Sequence, residues 1–328
     1  MAVATSDSLI DWSDEGLVDQ STARALIARA AAAFCERSVS EETRRAYRRV
    51  VKEFFQFIGV VSPDGVSPRE VLRWRDHQIA QKKSASTVSF KLSIIRTLFD
   101  YLQAAGLVAR NPALAKLVPP PAVPDGLSGR ALTAKEVRYV LGGPDRETAL
   151  GARDHALLLL MLRTSVRVSE ACGLRLSQIK WNHGRWVMKF KTKGGRERTQ
   201  PIPGEVKNAI DAYLRLDRTR RGLQHSDGPD QFIFQPHTNY RTLEFNKPIS
   251  TTMAWQIVKK WGSFTGVGKL SPHDLRRTAI TRALDQGLSY RQVQMMSGHK
   301  DPKTVMKYDH GRENLEQNAA NFLNYDAE

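Results

Sequence analysis

Four short stretches in the second half of the chain carry cations, and the last of them also carries a nucleophile. In "RTSVRVSEACGLR" (163–175), Arg167 and Glu170 stand three residues apart, so on a helix they share a face and the carboxylate can hold the guanidinium. In "KTKGGRER" (191–198), Lys193 sits at a Gly-Gly turn, where a flexible ammonium can reach into a groove. In "SPHDLRRTAITRAL" (271–284), His273 and Arg276 repeat the three-residue spacing at a helix start that Pro272 suits. In "GHKDPKTVMKYDH" (298–310), His299 follows a glycine and precedes Tyr308, an aromatic among polar residues. Each has an ordinary explanation: a surface ion pair, a solvated turn lysine, a helix-capping histidine, half-exposed aromatic packing. Their succession in that order along one basic region is much harder to get by chance than any one of them alone.

The whole chain favours an anionic partner. It has 328 residues, with 50 Lys and Arg against 34 Asp and Glu, a formal charge of +16. Such a balance points to a polyanion, and nucleic acid fits best. An anionic membrane surface would call for a basic amphipathic helix or a lipid anchor, and neither is found. The longest apolar run, "ALLLLML" (156–162), is far short of a bilayer span and reads as a buried helix. The acidic start "MAVATSDSLIDWSDEG" lacks the basic opening and apolar core of a signal peptide, so a cytoplasmic, nucleoid-associated protein is expected. Cys35 and Cys172 lie far apart without metal-ligand spacing. With no Gly-rich phosphate loop and no carboxylate cluster of metal-site type, neither a cofactor nor a metal is expected.

The elements that must position these residues are mostly helical. Residues 1–20 read as a flexible acidic tail, after which "STARALIARAAAAFCER" (21–37) begins an Ala-rich helix. A second helix is expected in 38–59, opened either by a Ser38/Glu41 capping box or by Ser40 alone, with Ala46, Val50, Phe54 and Phe57 on one face. A third, over 84–106, turns Val88, Leu92, Ile95, Leu98, Phe99 and Leu102 inward and ends at Gly106. "KLVPPPAVPDGLSG" (116–129) cannot continue a helix or strand. The expected organisation is therefore a helical domain over 21–115, a linker over 116–130 and a second domain over 131–328 opened by Thr133 as N-cap. A few short strands fall around 179–203, including a hairpin over 186–203 that turns at Gly194 and Gly195. The fold class is mainly α with a small β-sheet.

The motifs resemble those of the tyrosine recombinases, the family of phage and transposon integrases and Xer-type enzymes. That family's pattern is close to T-G-L-R-x-S-E-L-x-x-L, then G-K-G-x-K-x-R, H-x-x-R, L-G-H and a tyrosine. This chain supplies "TSVRVSEACGLR", "KTKGGRER", "HDLRRT" and "SGHKDPKTVMKY". The C-terminal two-thirds resembles the mixed α+β catalytic domain, and the basic helical segment resembles the SAM-like core-binding domain. Ser165 and Val166 stand where the pattern has Gly-Leu, and Ser297 stands where it has Leu.

The resemblance implies catalytic roles for Arg167, Lys193, His273, Arg276, His299 and the nucleophile Tyr308, with Glu170 in support. A phosphodiester repels nucleophiles and its alkoxide leaves poorly, so its oxygens must be neutralised and the departing oxygen protonated. Arg167 and Arg276 suit the first task, with hydrogen bonds from His273 and His299. Lys193 suits the second, its pKa lowered by neighbouring arginines, and His273 is the candidate acceptor of the tyrosine proton. A phenol of pKa near ~10 gives little phenolate unless cations favour it. The product would be a 3′-phosphotyrosine and a 5′-hydroxyl, with strand exchange through a Holliday junction. The partners implied are double-stranded DNA, a homotetramer on paired sites, and accessory proteins. Arg44, Arg48, Lys91 and Arg96 are candidate DNA contacts, with a solvated helix face as the alternative for each. A C-terminal tail helix, carrying Leu315, Ala319, Phe322 and Leu323, is expected to dock on a neighbouring subunit. A mobile-element recombinase is the preferred role; the alternatives are an Xer-type dimer-resolution enzyme, DNA relaxation of the type IB topoisomerase kind, and a catalytically silent DNA-binding protein.

Overall fold

Apolar side chains gather into separate cores on either side of the proline-rich segment, and the chain divides into two compact units, Met1–Asp125 and Gly126–Glu328. The computed structural model describes residues 29, 32–38, 40–59, 63–123, 129–191, 197–221, 228, 230–236, 247–309 and 319–321.

In the first unit, three helices follow a helical stretch at 32–36: α1 (Glu41–Ile58), α2 (Pro68–Ala80) and α3 (Ala85–Ala104). Ser40 takes the N-cap position of α1, although its side chain makes no capping bond, and Glu41 and Glu42 face the positive helix end. Ser67 closes a capping box with Glu70, and the Ser84 hydroxyl accepts from the Thr87 N–H. The 3.6-residue spacing of apolar positions then turns Val50 and Phe54 of α1, Trp74 of α2, and Leu92, Ile95 and Phe99 of α3 into one core. Phe54 meets Trp74 edge-on at 5.2 Å and Phe99 at 6.3 Å; burying an aromatic side chain of this kind stabilises by about 1.5–3 kcal/mol.

Two of the expected DNA contacts, Lys91 and Arg96, are engaged within the first unit. Lys91 is only 8% exposed, and its ammonium donates to both oxygens of Glu53 (2.6 and 2.8 Å) and to Gln78 Oε1 (2.7 Å). Its charge ties α3 to α1 and α2, because a buried ammonium without such acceptors would be far too costly. Arg96 donates to the carbonyls of Ala113 (2.8 Å) and Val118 (2.6 Å), so its guanidinium holds down the chain that leaves α3. Arg75 adds a bond to the Pro119 carbonyl at 3.1 Å, and Val118 is buried in the same core. The start of the proline-rich segment is thus packed on the first unit. Gly106 has φ 72°, the left-handed turn that ends α3.

The second unit is built around α5 (Ala149–Thr164), whose residues 151–162 are all buried. It contains "ALLLLML" and packs on α7 (Gly204–Arg221) and α9 (Pro272–Asp285). The expected cap at Thr133 opens α4 (Ala134–Gly142) through a capping box with Glu136. Strands β1 (Ile179–Asn182), β2 (Arg185–Lys191) and β3 (Glu197–Pro201) form an antiparallel sheet in that order, with Phe190 opposite Arg198. The remaining helices are α6 (Val168–Cys172), α8 (Thr251–Phe264), α10 (Tyr290–Ser297) and α11 (Pro302–Met306). A smaller core joins α9, α10 and α11 through Ile280, Ala283, Val293, Val305 and Tyr308. At the entry to this unit, the Arg130 N–H donates to Asp274 and the Leu132 N–H to Thr278 (2.8 Å), so the incoming chain is anchored on α9. Gly129 has φ 98°, and a Cβ there would collide with Asp274. No described helix is long and apolar enough to cross a membrane.

Candidate active site

The site is assembled where α5 stops and α6 starts. Ser165 adopts a left-handed conformation (φ 52°) that reverses the chain, and Arg167 becomes the N-cap residue of α6. Glu170, one turn on, accepts from the Arg167 backbone N–H (2.8 Å) and from its Nη1 (3.1 Å). The carboxylate thus orients the guanidinium from both ends, as the three-residue spacing predicts. Arg167 Nη2 reaches the carbonyl of Gly298 at 3.4 Å, across to the loop that follows α10.

That loop is held from several directions. Gly298 is the left-handed cap of α10 (φ 66°), and the Gln294 side chain donates to the carbonyls of His299 (3.0 Å) and Lys300 (3.2 Å). Arg276, 5% exposed on α9, donates to the carbonyls of Ser165 and Ser297 (2.7 Å) and to His299 Nε2 (3.1 Å). Three of its five N–H donors are therefore spent on the protein, leaving two to offer a ligand. Burial, and then the neighbouring Arg167, push its pKa down to about 10, which still leaves it cationic at neutral pH. For His299, burial and then the charges of Arg276 and Arg167 push the pKa down to about 4, so the ring is neutral.

Tyr308 follows α11 and lies 5.9 Å from the His299 ring, centroid to centroid. It is 2% exposed, packed against Ile280, Ala283, Val293 and Val305. The half-exposed packing that its polar sequence neighbours suggest is not what the chain adopts, because the apolar contacts come mainly from α9 and α10. Nor do cations dominate its ionisation: burial raises the phenol pKa, and Arg276 and Arg277 oppose that only in part. With its pKa raised by burial, Tyr308 is a protonated phenol at neutral pH.

Arg167, Glu170, Arg276, His299 and Tyr308 are thus brought together. His273 lies in the first turn of α9, exposed, and it is close enough to His299 to disfavour that ring's charge; the helix is capped by Ser271 and Asp274, not by the histidine. Lys193 falls in 192–196, outside the described residues, as does the predicted turn at Gly194 and Gly195. The tail helix lies outside them too, apart from a 3₁₀ turn at Ala319–Asn321. Arg44 and Arg48 belong to the first unit, where both pair with Glu36 at the surface. Among the described residues no group of His, Cys, Asp and Glu is placed to hold a metal ion.

Sequence reasoning missed Arg198. Its Nη2 donates to Glu170 Oε2 (3.0 Å), its guanidinium lies 5.0 Å from the Phe190 ring centroid, and its Nη1 occupies the space that a Cβ on Gly298 would need. One carboxylate therefore joins the first motif, the sheet and, through Arg198, the glycine before His299. The available signal was the alternation of the β3 strand, which puts Arg198 and Gln200 on one face; Gln200 bonds the Thr164 carbonyl at the end of α5.

Residues 130–314 match the phage integrase family, and residues 32–106 match the phage integrase N-terminal SAM-like domain. The chain is 31% identical over 272 residues to tyrosine recombinase XerC of Thermodesulfovibrio yellowstonii, covering 83% of this chain and 86% of that protein. It is 30% identical over 285 residues to tyrosine recombinase XerD of Pseudomonas aeruginosa, covering 85% and 90%. Its fold is similar to that of the XerH site-specific recombinase bound to a palindromic difH substrate (TM-score 0.72, 16% identity, 93% and 97% coverage). It is also similar to that of the Tn1549 transposon integrase in complex with circular intermediate DNA (TM-score 0.67, 18% identity, 91% and 99% coverage). With family matches over both units and the basic, tyrosine-bearing cluster in place, the chain belongs to the phage integrase family and is a tyrosine-type site-specific DNA recombinase.

Proposed function

We propose that Tyr308 attacks a phosphodiester of double-stranded DNA, forming a bond from its phenolic oxygen to phosphorus while the bond from phosphorus to the 5′ oxygen breaks. Arg167 and Arg276 neutralise the non-bridging oxygens. His273, exposed on the first turn of α9, takes the phenol proton, and Lys193 protonates the departing oxygen. The raised pKa of the phenol makes that base necessary. A 5′-hydroxyl of a partner strand reverses the step, so two rounds of exchange proceed through a Holliday junction within a homotetramer on paired sites, with accessory proteins where the site demands them. The observation that carries this reading is the convergence of Arg167, Arg276, His299 and Tyr308, from segments far apart in sequence, around one pair of helix ends.

The two units, with the proline-rich segment 116–130 between them, would clamp the duplex, the helical unit supplying Arg44 and Arg48. Their exposed pairs with Glu36 contribute little and are readily exchanged for phosphate contacts. Mobile-element recombination remains the preferred biological role, supported by the acidic N-terminal segment and by Ser165 and Ser297 in place of the commoner residues. The Xer-type role is the second reading, favoured by relatives named XerC and XerD.

The test is to recover DNA that stays attached to the protein through strong detergent in the host and to sequence its ends, for wild type and Tyr308→Phe. Ends clustered at a short inverted repeat and absent from Tyr308→Phe are expected, and the repeat's location separates a mobile element from a chromosomal resolution site. Scattered ends would support relaxation of the topoisomerase kind, and no attached DNA in either strain would leave a binding protein.

A further inference from the structure

Ser297 is fully buried, and its hydroxyl lies 2.8 Å from His299 Nδ1 and 3.4 Å from the Gln294 carbonyl. On the other side of the ring, His299 Nε2 is 3.1 Å from Arg276 Nη2. A guanidinium has hydrogen-bond donors and no acceptor, so Nε2 must present its lone pair. A neutral ring with a bare Nε2 carries its proton on Nδ1, which then donates to the Ser297 oxygen. The serine hydroxyl is left to donate to the Gln294 carbonyl. Only one direction of donation satisfies every group in the row: Arg276 to His299, His299 to Ser297, Ser297 to Gln294.

We propose that Ser297 is a positioning residue of the active site, its hydroxyl fixing His299 with the proton on Nδ1 so that Nε2 receives Arg276 and sets the angle of its guanidinium. The consequence for DNA cleavage rests on the recombinase mechanism above; the state of the ring does not. Before DNA arrives, His299 is an acceptor that aims Arg276. To donate to a phosphate it would have to gain a proton on Nε2 and release that arginine. The low pKa of His299 accords with a ring that stays neutral between cations. An apolar side chain at 297 would leave Nδ1 without this acceptor and remove the preference for one tautomer.

The test is nitrogen-15 NMR of the imidazoles in the full-length, DNA-free protein at neutral pH, with the His299 signals identified by their loss in His299→Gln. Expected are a protonated-type signal for Nδ1 and an unprotonated one for Nε2. A proton on Nε2, an even mixture of tautomers or a charged ring in wild type would each overturn the proposal, and this result needs no variant at 297 to fold. In Ser297→Ala the ring should relax to a mixture, and formation of the covalent DNA complex should slow about tenfold with unchanged DNA affinity, the worth of one hydrogen bond. Ser297→Thr, which keeps the hydroxyl, should recover the single tautomer. An unchanged tautomer in Ser297→Ala would also sink the idea. A wild-type protein with the expected tautomer and no covalent complex would instead count against the recombination mechanism alone.

Discussion

Ser165 shows what one departure from a family pattern costs. Its backbone is in the left-handed region that glycine enters freely, at φ 52°, and its buried hydroxyl has no hydrogen-bond partner among the described residues. A side chain in that conformation costs roughly 1–2 kcal/mol, and an unpaired buried hydroxyl about 1–3 kcal/mol. Ser165→Gly should therefore raise unfolding stability by about 1 kcal/mol after the extra freedom of glycine in the unfolded chain is subtracted; a denaturant titration checks this, and a lower midpoint would refute it. His299 gives a pH prediction. Its folded pKa of about 4 lies below the ordinary histidine value of 6.5. Between those values the unfolded chain binds a proton that the folded chain does not, so stability falls as pH drops from 6.5 towards 4. Stability measured across that window should decline less steeply for His299→Gln than for wild type. Equal slopes would mean that the ring is not held neutral.

At the scale of elements, helices were legible because their apolar spacing and their caps are local. The cap at Thr133 and the inward faces of α1 and α3 follow from residues a few positions apart. The hairpin strands were legible by alternation for the same reason. What charge does on a helix was not legible, since a lysine in solvent and a lysine in a core look alike in sequence. Lys91 is the test case. Lys91→Met should cost about 1–3 kcal/mol of stability, because Gln78 and Glu53 lose their donor. DNA affinity should stay within about twofold, and a large loss of affinity with unchanged stability would restore Lys91 to the DNA interface. In the site, the three-residue spacing put Glu170 beside Arg167, whereas the bridge from Glu170 to Arg198 joins residues on different elements, and strand alternation gives only the face that Arg198 takes, not its partner.

For the whole molecule, the charge of +16 is the property that bears most directly on function. If about 6 to 10 phosphates are neutralised, log affinity against log salt should fall with a slope of about −5 to −9. Gel-shift titrations from low to high salt measure it, and a slope near zero would exclude phosphate contacts as the source of binding. By itself, the sequence determined a basic charge that suits DNA, the two-unit helical organisation, the small sheet and the order of the motif residues, because charge, periodicity and motif spacing are written along the chain. Only the tertiary structure decided that Tyr308 is buried and protonated, that Lys91 is a core ion and that Ser297 faces His299 Nδ1. Burial is set by neighbours distant in sequence, here α9 and α10 around Tyr308, and α1 and α2 around Lys91. A titratable group's charge and a ring's tautomer depend on the neighbours that the fold supplies.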